Sequence, residues 1–218
     1  MSKSMRPEPI QWRQWLSRVV PLTLGLGTLM FMLSADMIFV QRYFTQGTKY
    51  YAAAGMIGRA LVFFTQPLAT VMFTKLVRSA ARSEKSDALA HALFATLLAG
   101  GAAAIGCTIL PWLPLRIVYD KTYLDISTPL VPWFAWGMLP LTLSMVLANA
   151  LMARSRFSVV PWLIVIAIGY GVTLLLELHF GHGTFKAVIQ TLAIFSTLML
   201  AVCAWFTWGS KLQVHSSQ

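Results

Sequence analysis

The chain has 218 residues, 57% hydrophobic and only 11% charged. A soluble domain carries about 25% charged residues, so the composition excludes an ordinary soluble fold and marks an integral membrane protein. The net charge of +10 does not point to nucleic acid, because the basic residues lie between apolar runs and form no stripe interleaved with exposed aromatics; they read as topogenic charge beside membrane spans.

Six helical spans are predicted, at about 19–41, 52–75, 88–110, 129–151, 159–180 and 187–209. The expected fold is all-α: a polytopic membrane protein made of a single six-transmembrane-helix bundle. Each run is long enough to cross ~30 Å of hydrocarbon at ~1.5 Å per residue. Strands are excluded by run length and by the absence of apolar–polar alternation. Residues 1–18 are expected to form a cytoplasmic interfacial segment. In Pro9 to Arg18, Trp12, Trp15 and Leu16 share one helical face beside basic residues, which predicts a helix lying on the inner membrane surface. The first span exceeds a signal-peptide core and is expected to remain as an anchor.

Span one contains Asp36 and span two contains Arg59. Charge inside a membrane span is costly, so each residue marks a candidate site if a partner exists. Asp36 lies ~8 Å below the outer end of its span and Arg59 ~10 Å below the outer start of the next, so the two match in depth. Further along span two, Gln66-Pro67 removes a backbone donor in mid-helix and predicts a kink at Pro67. Span three, around Gly100, Gly101 and Gly106, is rich in small residues that let helices approach closely. The loop from Pro111 to Thr128 carries Trp112, Tyr119 and Tyr123 and is expected to cap the outer face. Glu177 stands near the outer end of span five and Gln190 near the start of span six. Residues 210–218 are expected to form a cytoplasmic tail.

Lys and Arg fix the orientation. Eleven fall on the N-terminal segment, the second and fourth loops and the tail, against five on the other side. The positive-inside rule places both termini in the cytoplasm. Cys107 and Cys203 both lie in apolar runs, with no CxxC or Cys/His cluster, so neither a metal nor redox chemistry is expected. No HExxH, GxSxG or Walker A motif and no carboxylate pair occurs. No enzyme activity, catalytic residue or cofactor is expected. Two readings of the intramembrane polar residues stand side by side. One is a water-filled cavity open to the outside and lined by Asp36, Arg59, Gln66 and Glu177. The other is an Asp36–Arg59 bridge that fixes helix packing.

The stretch from Ser34 to Arg78 resembles polysaccharide and lipid-linked oligosaccharide flippases of the multidrug/oligosaccharidyl-lipid/polysaccharide exporter superfamily. The residues carrying the resemblance are Asp36, Val40, Tyr43 and Phe44, then Tyr51-Ala52-Ala53-Ala54-Gly55 and Gly58-Arg59, then Gln66-Pro67 to Phe73 before a basic loop. A later stretch, Ile117 to Tyr123, is similar to an outer loop of those proteins, with Asp120 where a Gly is common. Family members have two such bundles rocking around a central cavity, and this chain resembles the second, C-terminal half. The resemblance implies a half-transporter in the inner membrane that moves a lipid-linked glycan for the cell envelope, such as a lipopolysaccharide precursor. It also implies a second six-helix half or a homodimer, since alternating access needs two bundles. It places Asp36 and Arg59 on the cavity side. The alternatives are a non-transporting membrane scaffold, an inactive exporter fragment, or half of a multidrug or small-solute exporter. Membrane lipid is a partner in every case.

Overall fold

The computed structural model describes residues 12–44, 46–81, 88–180 and 183–215; the side chains of 14, 15, 18, 66–81, 88 and 210–215 fall outside that description. The described chain is helical, with no strand among the described residues. The helices are α1 (Trp12–Tyr43), α2 (Thr48–Ala81), α3 (Ala88–Ile109), α4 (Trp112–Val118), α5 (Leu124–Ser127), α6 (Val131–Ala153), α7 (Val160–His179) and α8 (Phe185–His215). Among the described residues five segments are long and apolar enough to cross a membrane: Val19–Tyr43, Leu89–Ile109, Lys121–Ala153, Phe157–His179 and Phe185–Gly209. The protein is therefore an all-helical, membrane-embedded one. α2 is itself a helix of 34 residues.

Local chemistry accounts for several boundaries. α6 and α7 each begin with a proline in the first turn, where the missing N–H has no helical partner to lose and the fixed φ suits the helix. Between α1 and α2 the chain turns at Gly47, whose φ of +84° is open to glycine at little cost. An added Cβ there would also lie 3.1 Å from the Phe185 ring. Two residues past the end of α6 the chain turns at Ser155, a non-glycine residue at φ 55°.

One expectation is revised, and two regions gain local structure. Residues Trp12–Arg18 do not form a separate helix; they are the first two turns of α1, which runs unbroken through Pro21 with Trp12 and Leu16 exposed. The side chains of Trp15 and Arg18 and all of residues 1–11 lie outside the described residues. At the other end, α8 continues through His215, so the expected tail is helical over most of its length. The connection from Pro111 to Thr128 is folded into α4, α5 and two 3-10 turns, at Lys121–Tyr123 and Thr128–Leu130. It is tied to α2 where Ser127 Oγ donates to Tyr50 O at 3.0 Å.

Within its 18-residue apolar core the Lys121–Ala153 segment is 67% buried, against 28–44% for the cores of the other four, which makes α6 the central helix. It packs on α8, α2 and α3, while α1 packs on α7 and α7 on α8. Glycines permit this closeness by receiving large side chains. Phe134 of α6 lies over Gly55 and Gly58 of α2, and Phe31 of α1 lies over Gly171 of α7. On the α6–α8 contact, Ser196 Oγ donates to Gly137 O at 3.1 Å. The bundle thus runs α1–α7–α8–α6–α2, with α3 against α2 and α6. α1 and α2 are adjacent in sequence and barely touch.

Candidate functional site: a buried ion pair at the α1–α2 seam

What joins α1 to α2 is polar. On α1 the face carrying Leu29, Met32, Leu33, Asp36 and Val40 is buried. These positions recur at three- and four-residue steps, the helical repeat of one face. On α2, Tyr51, Gly55 and Arg59 recur every four residues and so share a face. The two faces meet at Asp36. Arg59 Nη2 donates to Asp36 Oδ1 at 2.7 Å and to Oδ2 at 2.8 Å. Arg59 Nε donates to the Leu33 carbonyl at 2.9 Å. Tyr51 OH donates to Asp36 Oδ2 at 2.9 Å. Both oxygens of the carboxylate are therefore satisfied by charged or phenolic donors, as a buried charge requires.

Burial is unequal across the pair. The Asp36 side chain is 0% exposed and that of Arg59 is 17% exposed. Among the described residues no acceptor meets Arg59 Nη1. That nitrogen lies against Gly55, where an added Cβ would approach it to 2.9 Å. Glycine at 55 thus makes room for the guanidinium and leaves Nη1 with donors to offer. Aromatic rings surround Tyr51: Phe134 at 5.0 Å between centroids and Phe185 at 5.4 Å, with Phe44 tilted against Phe185 at 4.6 Å. These rings come from α6, α8 and the α1 end, and they hold the phenol that orients the carboxylate.

Of the residues expected to line a cavity, the structure brings Asp36 and Arg59 into direct contact. Glu177 is elsewhere in the bundle, half-buried on α7, and accepts a hydrogen bond from Thr191 Oγ1 of α8 at 2.6 Å. The side chains of Gln66 and Pro67 lie outside the described residues, although both positions are helical within α2. Gln190 is exposed. Sequence reasoning missed Tyr51, Tyr170 and Thr191 as members of the polar interior. Tyr51 and Tyr170 are both 0% exposed. Their only sequence signal is a phenol set in an apolar run, which resembles any interfacial tyrosine. No group of three or more His, Cys, Asp and Glu positioned to hold a metal occurs among the described residues.

The fold and this site together define a helical membrane protein with a buried Asp–Arg–Tyr cluster linking two otherwise loosely packed helices. Compared with protein-family models, with curated proteins and with solved structures, the chain matches none.

Proposed function

We propose that the chain is a half-transporter of the flippase type, which moves a lipid-linked oligosaccharide or polysaccharide precursor across the inner membrane. In this reading α2 also crosses the membrane and brings the spans to six, both termini are cytoplasmic, and a second six-helix half or a second copy completes the transport path. The observation that carries the reading is Arg59. Its guanidinium is anchored by Asp36 and Leu33 O, yet it is partly exposed and keeps Nη1 uncommitted among the described residues. A planar guanidinium held by one edge with donors left on the other suits an anionic phosphate headgroup. A buried ion pair is also a poor device for stability alone, because apolar residues of similar volume often serve as well or better. The resemblance of Ser34 to Arg78 to polysaccharide flippases supplies the cargo class.

One observation favours the rival, a non-transporting scaffold or inactive exporter fragment: both carboxylate oxygens of Asp36 are already filled and its side chain is fully buried. Export distinguishes the two. With surface glycan as the readout and membrane-inserted protein as the control, Asp36→Asn and Arg59→Ala are each expected to abolish export at unchanged protein level. Normal export by both variants would sink the transport reading. Restored export in the charge-swapped double variant, Asp36→Arg with Arg59→Asp, would assign the pair to the bridge.

A further inference from the structure

Three buried side-chain oxygens among the described residues have no hydrogen-bond partner: Thr96 Oγ1, alone on α3, and the pair Tyr170 Oη and Glu177 Oε2. Both members of the pair belong to α7, seven residues apart, which places them two turns apart on one face. That face points inward, since Tyr170 and the intervening Leu174 are 0% exposed. Glu177 is held by its other oxygen, and the 2.6 Å contact from Thr191 has the short length of a hydroxyl donating to a carboxylate. The carboxylate is thereby fixed with Oε2 turned away from Thr191. A phenol can donate and an ionised carboxylate oxygen can only accept, so the two orphan atoms are complementary. Leaving both unmet in an apolar interior is costly.

The two atoms are too far apart to satisfy each other directly. Seven residues of helix rise ~10.5 Å. Helical side chains lean toward the N-terminus, which carries Glu177 toward the turn of Tyr170 but carries the phenol onward by a similar amount. Water fills such a gap where the walls offer two or more polar partners. Further polar groups stand close by. Tyr170 lies within electrostatic range of Asp36, Arg59 and Glu177, and Tyr51 within range of Tyr170. The rest of the wall is apolar, with the Phe195 ring centred 5.7 Å from that of Tyr170.

We propose that Tyr170 and Glu177 bound an internal water-binding site, a file of about three molecules at ~2.8 Å per step, that links the Glu177–Thr191 contact of α7 and α8 to the Asp36–Arg59–Tyr51 cluster of α1 and α2. The site does not depend on the transport reading. It joins these two polar contacts into one network across four helices.

X-ray radiolysis of the purified full chain in lipid nanodiscs, read by mass spectrometry, tests the site, because radicals formed from a bound water mark the side chains around it. Tyr170 is expected to be oxidised several-fold faster than Cys203, a more reactive side chain that is also 0% exposed but lies toward the other end of α8. In Glu177→Leu the labelling of Tyr170 falls to background, and in Glu177→Gln, which keeps a polar partner, it persists. Labelling of Tyr170 no faster than of Cys203 in the unmodified protein overturns the proposal. Labelling unchanged in Glu177→Leu overturns it as well, since the water then comes from bulk access. A thermal-stability cycle gives a second reading. Tyr170→Phe is expected to lower the melting temperature by ~2–4 °C in the unmodified protein and to have no effect on the Glu177→Leu background. Equal shifts on both backgrounds overturn the link.

Discussion

The Asp36–Arg59 pair lends itself to a quantitative test by removing one charge and then both. In Arg59→Met the carboxylate of Asp36, 0% exposed, keeps only the Tyr51 donor. Breaking a buried ion pair from one side costs roughly 3–5 kcal/mol, because the remaining charge is left uncompensated. For a chain of this size each kcal/mol moves the melting temperature by ~2–4 °C. Arg59→Met should therefore lower it by ~6–20 °C. Asp36→Leu should cost less, because the Arg59 side chain is 17% exposed and a long cationic side chain can relax toward a wet or headgroup environment. The double variant, Asp36→Leu with Arg59→Met, removes both charges and their desolvation together. It is expected to recover most of the loss, leaving a residue of ~1–2 kcal/mol for the orphaned Tyr51 hydroxyl. Differential scanning fluorimetry in nanodiscs, across all four members of the cycle, provides the measurement. If the double variant is as unstable as the sum of the singles, the coupling assigned to the pair is wrong. If Asp36→Leu is costlier than Arg59→Met, the exposure argument is wrong.

Two further outcomes follow from the packing. An added Cβ at Gly58 would lie 2.9 Å from Phe134 Cβ, whereas one at Gly101 meets nothing within 4 Å. A Cβ sits at the backbone and cannot swing away, so Gly58→Ala should destabilise by ~1–3 kcal/mol, while Gly101→Ala should leave the melting temperature unchanged or slightly raised. Equal shifts in the two variants would refute the assigned α2–α6 contact. Cys107 and Cys203 are free and buried, Cys107 near the C-terminal end of α3 and Cys203 in the C-terminal half of the apolar segment Phe185–Gly209 of α8. On the predicted topology those helices run in opposite directions, so the thiols lie at different depths, too far apart for disulfide geometry. Oxidation by copper–phenanthroline is therefore expected to leave monomer mobility on a non-reducing gel unchanged, and a faster-migrating crosslinked monomer would refute the topology.

Much of the architecture is legible in one dimension because lipid imposes a one-dimensional rule. Backbone groups in hydrocarbon must bond within their own helix, so a long apolar run with few charges has one available structure. Depth along the bilayer normal follows from residue count, which is why Asp36 and Arg59 are recognisable as matched before any packing is known. The long helical reach of α1 and α8 beyond their apolar stretches is not legible in this way. Polar and basic residues such as Arg13 and Lys211 are compatible with helix or coil, and hydropathy is silent between them. Pro67 illustrates the same limit: the sequence gives a reason for a kink, but its side chain lies outside the described residues.

Lateral arrangement is a different matter, since rotation about each helix axis and the choice of neighbours leave no mark on hydropathy. Small residues permit close approach without naming the partner. Only the tertiary structure shows that α6 occupies the centre, that α1 lies on α7 rather than along α2, and that Glu177 faces Thr191 of α8 instead of the Asp36–Arg59 pair. It alone supplies Tyr51 as the second donor to Asp36 and Leu33 O as the acceptor that locks Arg59. The helical, membrane-embedded class and the two costly charges follow from residue order alone, because transfer from water to lipid penalises each residue separately. Which groups those charges meet was decided by packing, because a contact is a property of two helices and is written in neither.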